Sequence, residues 1–188
     1  MKRILILCLS LYSISTASSK IALTIKVNGK VFVIEEANSA KQPLKLGTPL
    51  KDKDKILTGK NGFVAIMYLD DKSVIKMLGN SDLTVSGKRS GTQINKSLDI
   101  KYGKIAASIS PQKGNEFRIA TPTSVASVKG TELTIDSRPG IGDSFTLLEG
   151  LIEVTILSLE NPQKLKVGKQ LFQHQKVHWK FTKQRSMT

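Results

Sequence analysis

Phe117-Arg118-Ile119-Ala120-Thr121-Pro122-Thr123-Ser124-Val125-Ala126-Ser127-Val128-Lys129-Gly130-Thr131-Glu132-Leu133-Thr134-Ile135 is the stretch whose reading decides the fold. It alternates over Phe117 to Ala120, Ser124 to Val128 and Thr131 to Ile135, the period of half-buried strands. Thr121-Pro122 breaks the first strand, because proline has no N–H to give to a ladder. Gly130-Thr131 supplies the second turn. The prediction is therefore strand, corner, strand, turn, strand. Its small side chains point to close packing of backbones. It holds no nucleophile beside a base and no set of metal ligands.

The same grammar runs outward in both directions. Asn28-Gly29 reads as the tight turn of a hairpin between Ile21–Val27 and Val31–Glu35. Lys51-Asp52-Lys53-Asp54-Lys55 reads as a solvated edge. Phe63–Leu69 and Val74–Leu78 pair across Asp70-Asp71-Lys72-Ser73. That turn lacks the alternating oxygen ligands, central glycine and closing glutamate of a helix–loop–helix calcium site. Lys88–Lys96 reads as a polar loop. Leu98–Ser110 reads as a strand pair around Tyr102-Gly103-Lys104-Ile105, and Phe145–Leu148 and Leu151–Leu159 as a hairpin around Glu149-Gly150. Gly29-Lys30-Val31, Gly103-Lys104-Ile105 and Gly150-Leu151-Ile152 share a cue, a turn glycine before a strand. Their unequal spacing excludes a repeat array. The expected fold class is all-β, a jelly-roll-like sandwich of stacked hairpins, with a short β-solenoid as the alternative.

The first residues read as a targeting segment. Lys2 and Arg3 precede an apolar run from Ile4 to Ile14, and Ser15-Thr16-Ala17 supplies small residues for cleavage. The run is shorter than the ~20 apolar residues that span a bilayer. Cys8, the only cysteine, lies inside it without the small preceding residue of a lipoprotein signal. The expected division is a signal peptide over 1–19, a β-domain over 20–172 and a basic tail over 173–188. The expected location is periplasmic or secreted, with no membrane-spanning segment after cleavage and no disulfide.

The chain of 188 residues carries 29 basic and 15 acidic side chains, a net charge of +14. Without Lys2 and Arg3 the balance is 27 against 15, or +12. No acid follows Glu160. This asymmetry suits contact with an anionic polysaccharide or lipid surface through Lys176, Lys180, Lys183 and Arg185, where Trp179 and Phe181 are interleaved. Nucleic acid is ill-placed as a partner for an exported chain. The plainer reading is that lysines keep a strand-rich protein soluble and blunt its sheet edges.

Catalytic and cofactor chemistry finds no foothold. His174 and His178 sit in a segment that alternates like a strand, with no acid nearby to complete a metal site. There is no Gly-x-Ser-x-Gly elbow. Gly59-Lys60-Asn61-Gly62 is not a phosphate-binding loop, because the Lys-Ser/Thr and helix that should follow are missing. Glu116, Glu132 and Asp136 are carboxylates that nothing pairs across a cleft. The reading is a non-enzyme without cofactor or metal.

With these residues placed, the chain resembles a FecR-domain protein. The matching elements are Leu44-Lys45-Leu46-Gly47-Thr48-Pro49-Leu50, Asp54-Lys55-Ile56-Leu57-Thr58-Gly59, Asn61-Gly62-Phe63-Val64 and Leu69-Asp70-Asp71-Lys72-Ser73. Leu98 to Ile105, Thr121-Pro122-Thr123 with Val128-Lys129-Gly130-Thr131-Glu132, Leu148-Glu149-Gly150 and Val167-Gly168-Lys169-Gln170 follow in order. Lys72 stands where the family's turn has glycine. The resemblance implies an exported β-domain used for protein contacts. In iron-uptake signalling such domains pass a signal from an outer-membrane receptor to a sigma factor. Those regulators carry a cytoplasmic segment and a membrane helix, where this chain has a signal peptide. What carries over is the module with a protein partner in the envelope. Thr121, Pro122, Gly130, Thr131, Gly103 and Gly150 are expected to hold its structural motif, with Pro122 fixing a strand entry and Gly130 a turn.

Overall fold

The computed structural model describes residues 20–112 and 114–157, and the backbone of 163–168 and 176–178. It is all-β. The strands are β1 (Lys20–Asn28), β2 (Val31–Ile34), β3 (Lys41–Pro43), β4 (Pro49–Lys51), β5 (Asp54–Thr58), β6 (Phe63–Tyr68), β7 (Val74–Met77) and β8 (Ser81–Ser90). They continue as β9 (Gln93–Ile109), β10 (Phe117–Ala120), β11 (Ser124–Val128), β12 (Thr131–Arg138), β13 (Gly142–Glu149), β14 (Leu151–Ile156), β15 (Gln163–Gly168) and β16 (Lys176–His178).

These strands form two layers of one folded-over sheet. The first runs β4-β1-β6-β7-β9-β12-β13-β16. The second runs β3-β2-β5-β8-β9-β10-β11-β14-β15. β9 belongs to both. Residues up to Tyr102 pair with β8 and β10, and residues from Gly103 pair with β12 and β7. Among the described residues only the β9–β10 ladder is parallel, so the stacked parallel coils of a solenoid do not form and the expected sandwich does.

Alternation explains the burial. Ile56, Leu83, Val85, Leu98, Ile100, Ile119, Ala126 and Val154 point inward from one layer, and Ile21, Val64, Ile66, Ile75, Ile105, Leu133 and Ile135 from the other, in one continuous core. Tyr68 and Phe117 meet edge-to-face across the layers, with centroids 5.4 Å apart at 85°. Each fully buried aliphatic of this kind contributes roughly 1.5–3 kcal/mol.

The chain switches layers at the glycine cues. β1 pairs with β4 and β6, whereas β2 pairs with β3 and β5. Asn28-Gly29 is thus a corner between layers, not the hairpin the dipeptide suggests. Glu149-Gly150 behaves alike, since β13 pairs with β12 and β14 with β11. Leu98–Ser110 is not a strand pair but part of the single strand β9, bent at Gly103. There φ is +112°, and a Cβ would run into the Ser81 hydroxyl and lie 2.6 Å from the Ser81 Cα. Only glycine can place that bend. The corners at this end stack: the Gly59 N–H donates to the Lys30 carbonyl at 2.8 Å, Asn80 N–H to Gly59 at 3.1 Å and Leu78 N–H to Lys104 at 3.0 Å.

Two polar stretches also differ from expectation. Lys51–Lys55 is a tight turn into β5, not a solvated edge. Asp54 is 2% exposed and accepts the Lys51 N–H at 2.8 Å, while Asp52 accepts the Gly87 N–H at 2.8 Å. Lys88–Lys96 is the β8–β9 hairpin rather than a loop, and it ends on a buried lysine.

Candidate functional site

The end of the sandwich away from the Gly103 bend is tied by a buried ion cluster. The β6–β7 turn presents Asp70 and Asp71, and β9 in the facing layer sends Lys96 inward. Its ammonium lies 2.7 Å from Asp70 Oδ2 and 2.9 Å from Asp71 Oδ2, with its side chain 1% exposed. Gln112, in the connection from β9 to β10, donates through Nε2 to Asp71 Oδ2 at 2.6 Å and to the Ser110 carbonyl at 2.6 Å. The Ile94 N–H donates to Asp70 at 2.9 Å and the Ser73 N–H to Asp71 Oδ1 at 2.9 Å. Lys96 Nζ also sits over the Tyr68 ring, 5.6 Å from its centroid.

The electrostatics follow from this geometry. Burial alone pushes the Asp71 carboxyl up. The Ser73 N–H, Gln112 and Lys96 outweigh it and hold the carboxyl below its ordinary value. Burial pushes the fully enclosed Tyr68 phenol far up, with the nearby aspartates adding to it. The Tyr68 hydroxyl and Asp70 Oδ1 are buried without a hydrogen-bond partner. A cleft of about 490 Å³ opens beside the cluster, lined by Asp70, Asp71, Thr92, Gln93, Gln112 and Asn115.

This arrangement braces the two layers against each other. Among residues with described side chains there is no histidine and no cysteine, and no three metal-ligating groups converge. In this turn both oxygens of Asp71 and Oδ2 of Asp70 are committed to Lys96, Gln112 and backbone N–H groups. Two carboxylates share one ammonium here, so loss of Lys96 would leave both buried charges without their cation.

The signature residues lie elsewhere, at other corners. β10 and β11 form a hairpin with Phe117 opposite Val128 and Ala120 opposite Val125, so the expected Thr121-Pro122 corner is a hairpin tip. Pro122 is exposed at its tip. Thr121 is 7% exposed; its hydroxyl, with those of Thr123 and Ser124, converges on Asp143 Oδ2. Gly130 turns the chain between layers with φ +67°. Gly150, with φ +92°, lies against it: a Cβ there would run into the Gly130 carbonyl and lie 2.9 Å from Thr131 Cα. The Thr131 hydroxyl donates to the Leu151 carbonyl at 2.9 Å. Gly130, Thr131 and Gly150 are thus brought together, while Gly103 lies apart from them at the bend within β9. Of the basic residues singled out, Lys176 starts β16, and Lys180, Lys183 and Arg185 lie outside the described residues, as do 1–19, His174 and Trp179.

Sequence reasoning missed Lys96, Gln112 and Asp143. Lys96 carried one usable signal: at an even position of β9 it falls in register with the inward-facing Leu98 and Ile100. No helix among the described residues is long and apolar enough to cross a membrane.

Comparison with known proteins bears on this architecture. A search of curated proteins finds no match. Among solved structures, one described as a cell surface anchoring domain is 30% identical over 34% of this chain and 82% of its own, with a TM-score of 0.32. Two crystal structures of a candidate anti-sigma factor from Parabacteroides distasonis ATCC 8503 are 14% identical, with TM-scores of 0.48 and 0.47. Each is covered over 58% of its length by 65% of this chain. The model of the family described as FecR protein matches residues 54–153, from the start of β5 into β14. That span holds the ion cluster, the Thr121–Asp143 network and the corners at Gly130 and Gly150, and it is more than half of the chain, which therefore belongs to the FecR family.

Proposed function

We propose that this protein is a non-enzymatic FecR module of the cell envelope, periplasmic or secreted, that works by protein contacts and takes a partner strand along β15. Membership of the FecR family supports a signalling or regulatory role. The observation that carries the mode of contact is the state of the sheet edges. β3 and β4 are three residues long and contain Pro43 and Pro49, which blunts them against pairing. β15 has six residues and, among the described residues, a neighbour on one side only, β14. An extended segment added there gains main-chain hydrogen bonds, with specificity from alternate side chains.

The test is recovery of tagged protein from cells after crosslinking, across a salt series. One discrete protein retained at high salt supports the reading. Polysaccharide or lipid alone, released as salt rises, supports instead contact through the lysine-rich surface and overturns the proposal.

A further inference from the structure

A second hollow, of about 300 Å³, opens on the outer face of the layer that holds β5, β8, β9 and β10. It is separate from the ion cluster and from β15. One cross-strand row forms its floor: Lys55 opposite Thr84, Thr84 opposite Asp99, and Asp99 beside Ala120. The small side chain of Ala120 leaves room at the end of that row. Thr121, the first residue of the corner fixed by Asp143, lines the same hollow. The β8–β9 ladder slips between Asp82 and Leu83, leaving Lys101 as the extra residue of a bulge. Bulges of this kind re-aim side chains and recur beside binding sites.

Asp82 is the anomaly. It is 5% exposed, yet its Oδ1 has no hydrogen-bond partner. Its nearest cation, Lys55 Nζ, stands 3.9 Å from Oδ2, beyond hydrogen-bond reach. A buried carboxylate without donors is costly, and such groups are normally satisfied. Asp99 is more exposed than Asp82; partial burial pushes its carboxyl up, against the pull of Arg118.

The charges narrow the ligand. The two carboxylates are matched by Lys55 and Lys101, which line the hollow with them, and Arg118 lies beyond, so no excess negative charge draws in a cation. What the hollow lacks is neutral donors for the carboxylates that can also accept from the ammonium groups. Adjacent hydroxyls on a sugar ring do both. We infer that this hollow binds carbohydrate hydroxyls, with Asp82 and Asp99 accepting, Lys55 and Lys101 donating, and Thr84 between them. The volume sits at the small end of ligand pockets, which begin at ~300 Å³, and suits a short saccharide or a chain end.

The experiment is titration of the ¹⁵N-labelled protein with D-glucose, D-mannose and N-acetyl-D-glucosamine, following the amides of Thr84, Asp99 and Lys101. At least one sugar is expected to shift these amides saturably. Asp82→Asn, which turns an acceptor into a donor, should weaken that binding about tenfold, or ~1.4 kcal/mol. Ala120→Leu fills the hollow with both carboxylates intact and should cause a similar loss. Spectra of the unliganded variants confirm that each remains folded. If no sugar moves these amides, or if both variants bind as the wild type does, the inference is overturned. Neither result bears on the partner at β15.

Discussion

Lys96→Met separates the ion cluster's role from that of the surrounding core. Methionine keeps the length of the side chain and removes the ammonium. Asp70 and Asp71, 6% and 17% exposed, are left charged and without their cation. Breaking a buried pair in this way costs about 3–5 kcal/mol. For a domain of this size that lowers Tm by roughly 10 °C. The pH dependence gives the sign. In the wild type the folded-state pKa of Asp71 lies below its ordinary value. Its contribution is therefore present above about pH 4 and lost as pH falls through the lower folded value. In the variant the Asp71 carboxyl loses the Lys96 ammonium that helps hold it down, so its stabilising contribution at neutral pH shrinks. The two stability curves should converge as pH drops from about 7 to about 3. Adding Asp70→Asn and Asp71→Asn to Lys96→Met should recover part of the loss at neutral pH. The assay is thermal unfolding by circular dichroism over that pH range. A single variant melting within ~2 °C of the wild type, or a deficit that does not change with pH, would refute the reasoning.

Three further outcomes follow from the corners. Gly150→Ala should cost more than Gly130→Ala: both add left-handed strain of about 1 kcal/mol, but only at Gly150 does the new Cβ clash with backbone, while at Gly130 its nearest neighbour, the Pro111 Cα, is at an ordinary contact distance of 3.4 Å. Urea midpoints for the two variants rank them. Lys72, with φ +63°, occupies the turn position that suits glycine, so Lys72→Gly should raise stability by about 0.5–1 kcal/mol, seen as a higher melting temperature. Asp143→Ala strips the acceptor from the hydroxyls of Thr121, Thr123 and Ser124 and should lower stability by about 2–3 kcal/mol in urea unfolding, with faster amide exchange at Ser124.

Local chemistry made much of the fold legible. Alternation located the strands; Gly130-Thr131 reads as a turn, and Thr121-Pro122 reads as a corner where the structure has a hairpin tip. The sequence did not tell a hairpin turn from a corner between layers, because the same residues serve both. Asn28-Gly29 and Glu149-Gly150 demand a positive φ either way, and which strands then pair is settled by contacts distant in sequence. Gly103 misled for the same reason, since it bends one strand rather than joining two. The polar brace was harder to see. Lys96 reads as surface until β9 is known to be continuous, and Gln112 and Asp143 have meaning only beside partners 41 and 22 residues away. Asp82 looks like an ordinary turn-proximal acid until the bulge beside it is known.

The central claim, a module that binds protein along β15, is tested most directly by site-specific photocrosslinking in cells. A photoreactive residue at Lys166, in the middle of β15, should give one discrete protein adduct that persists in high salt, while the same residue at Gln42 on the blunted β3 should give none. Adducts of equal strength at both positions, or none at Lys166, would contradict the account.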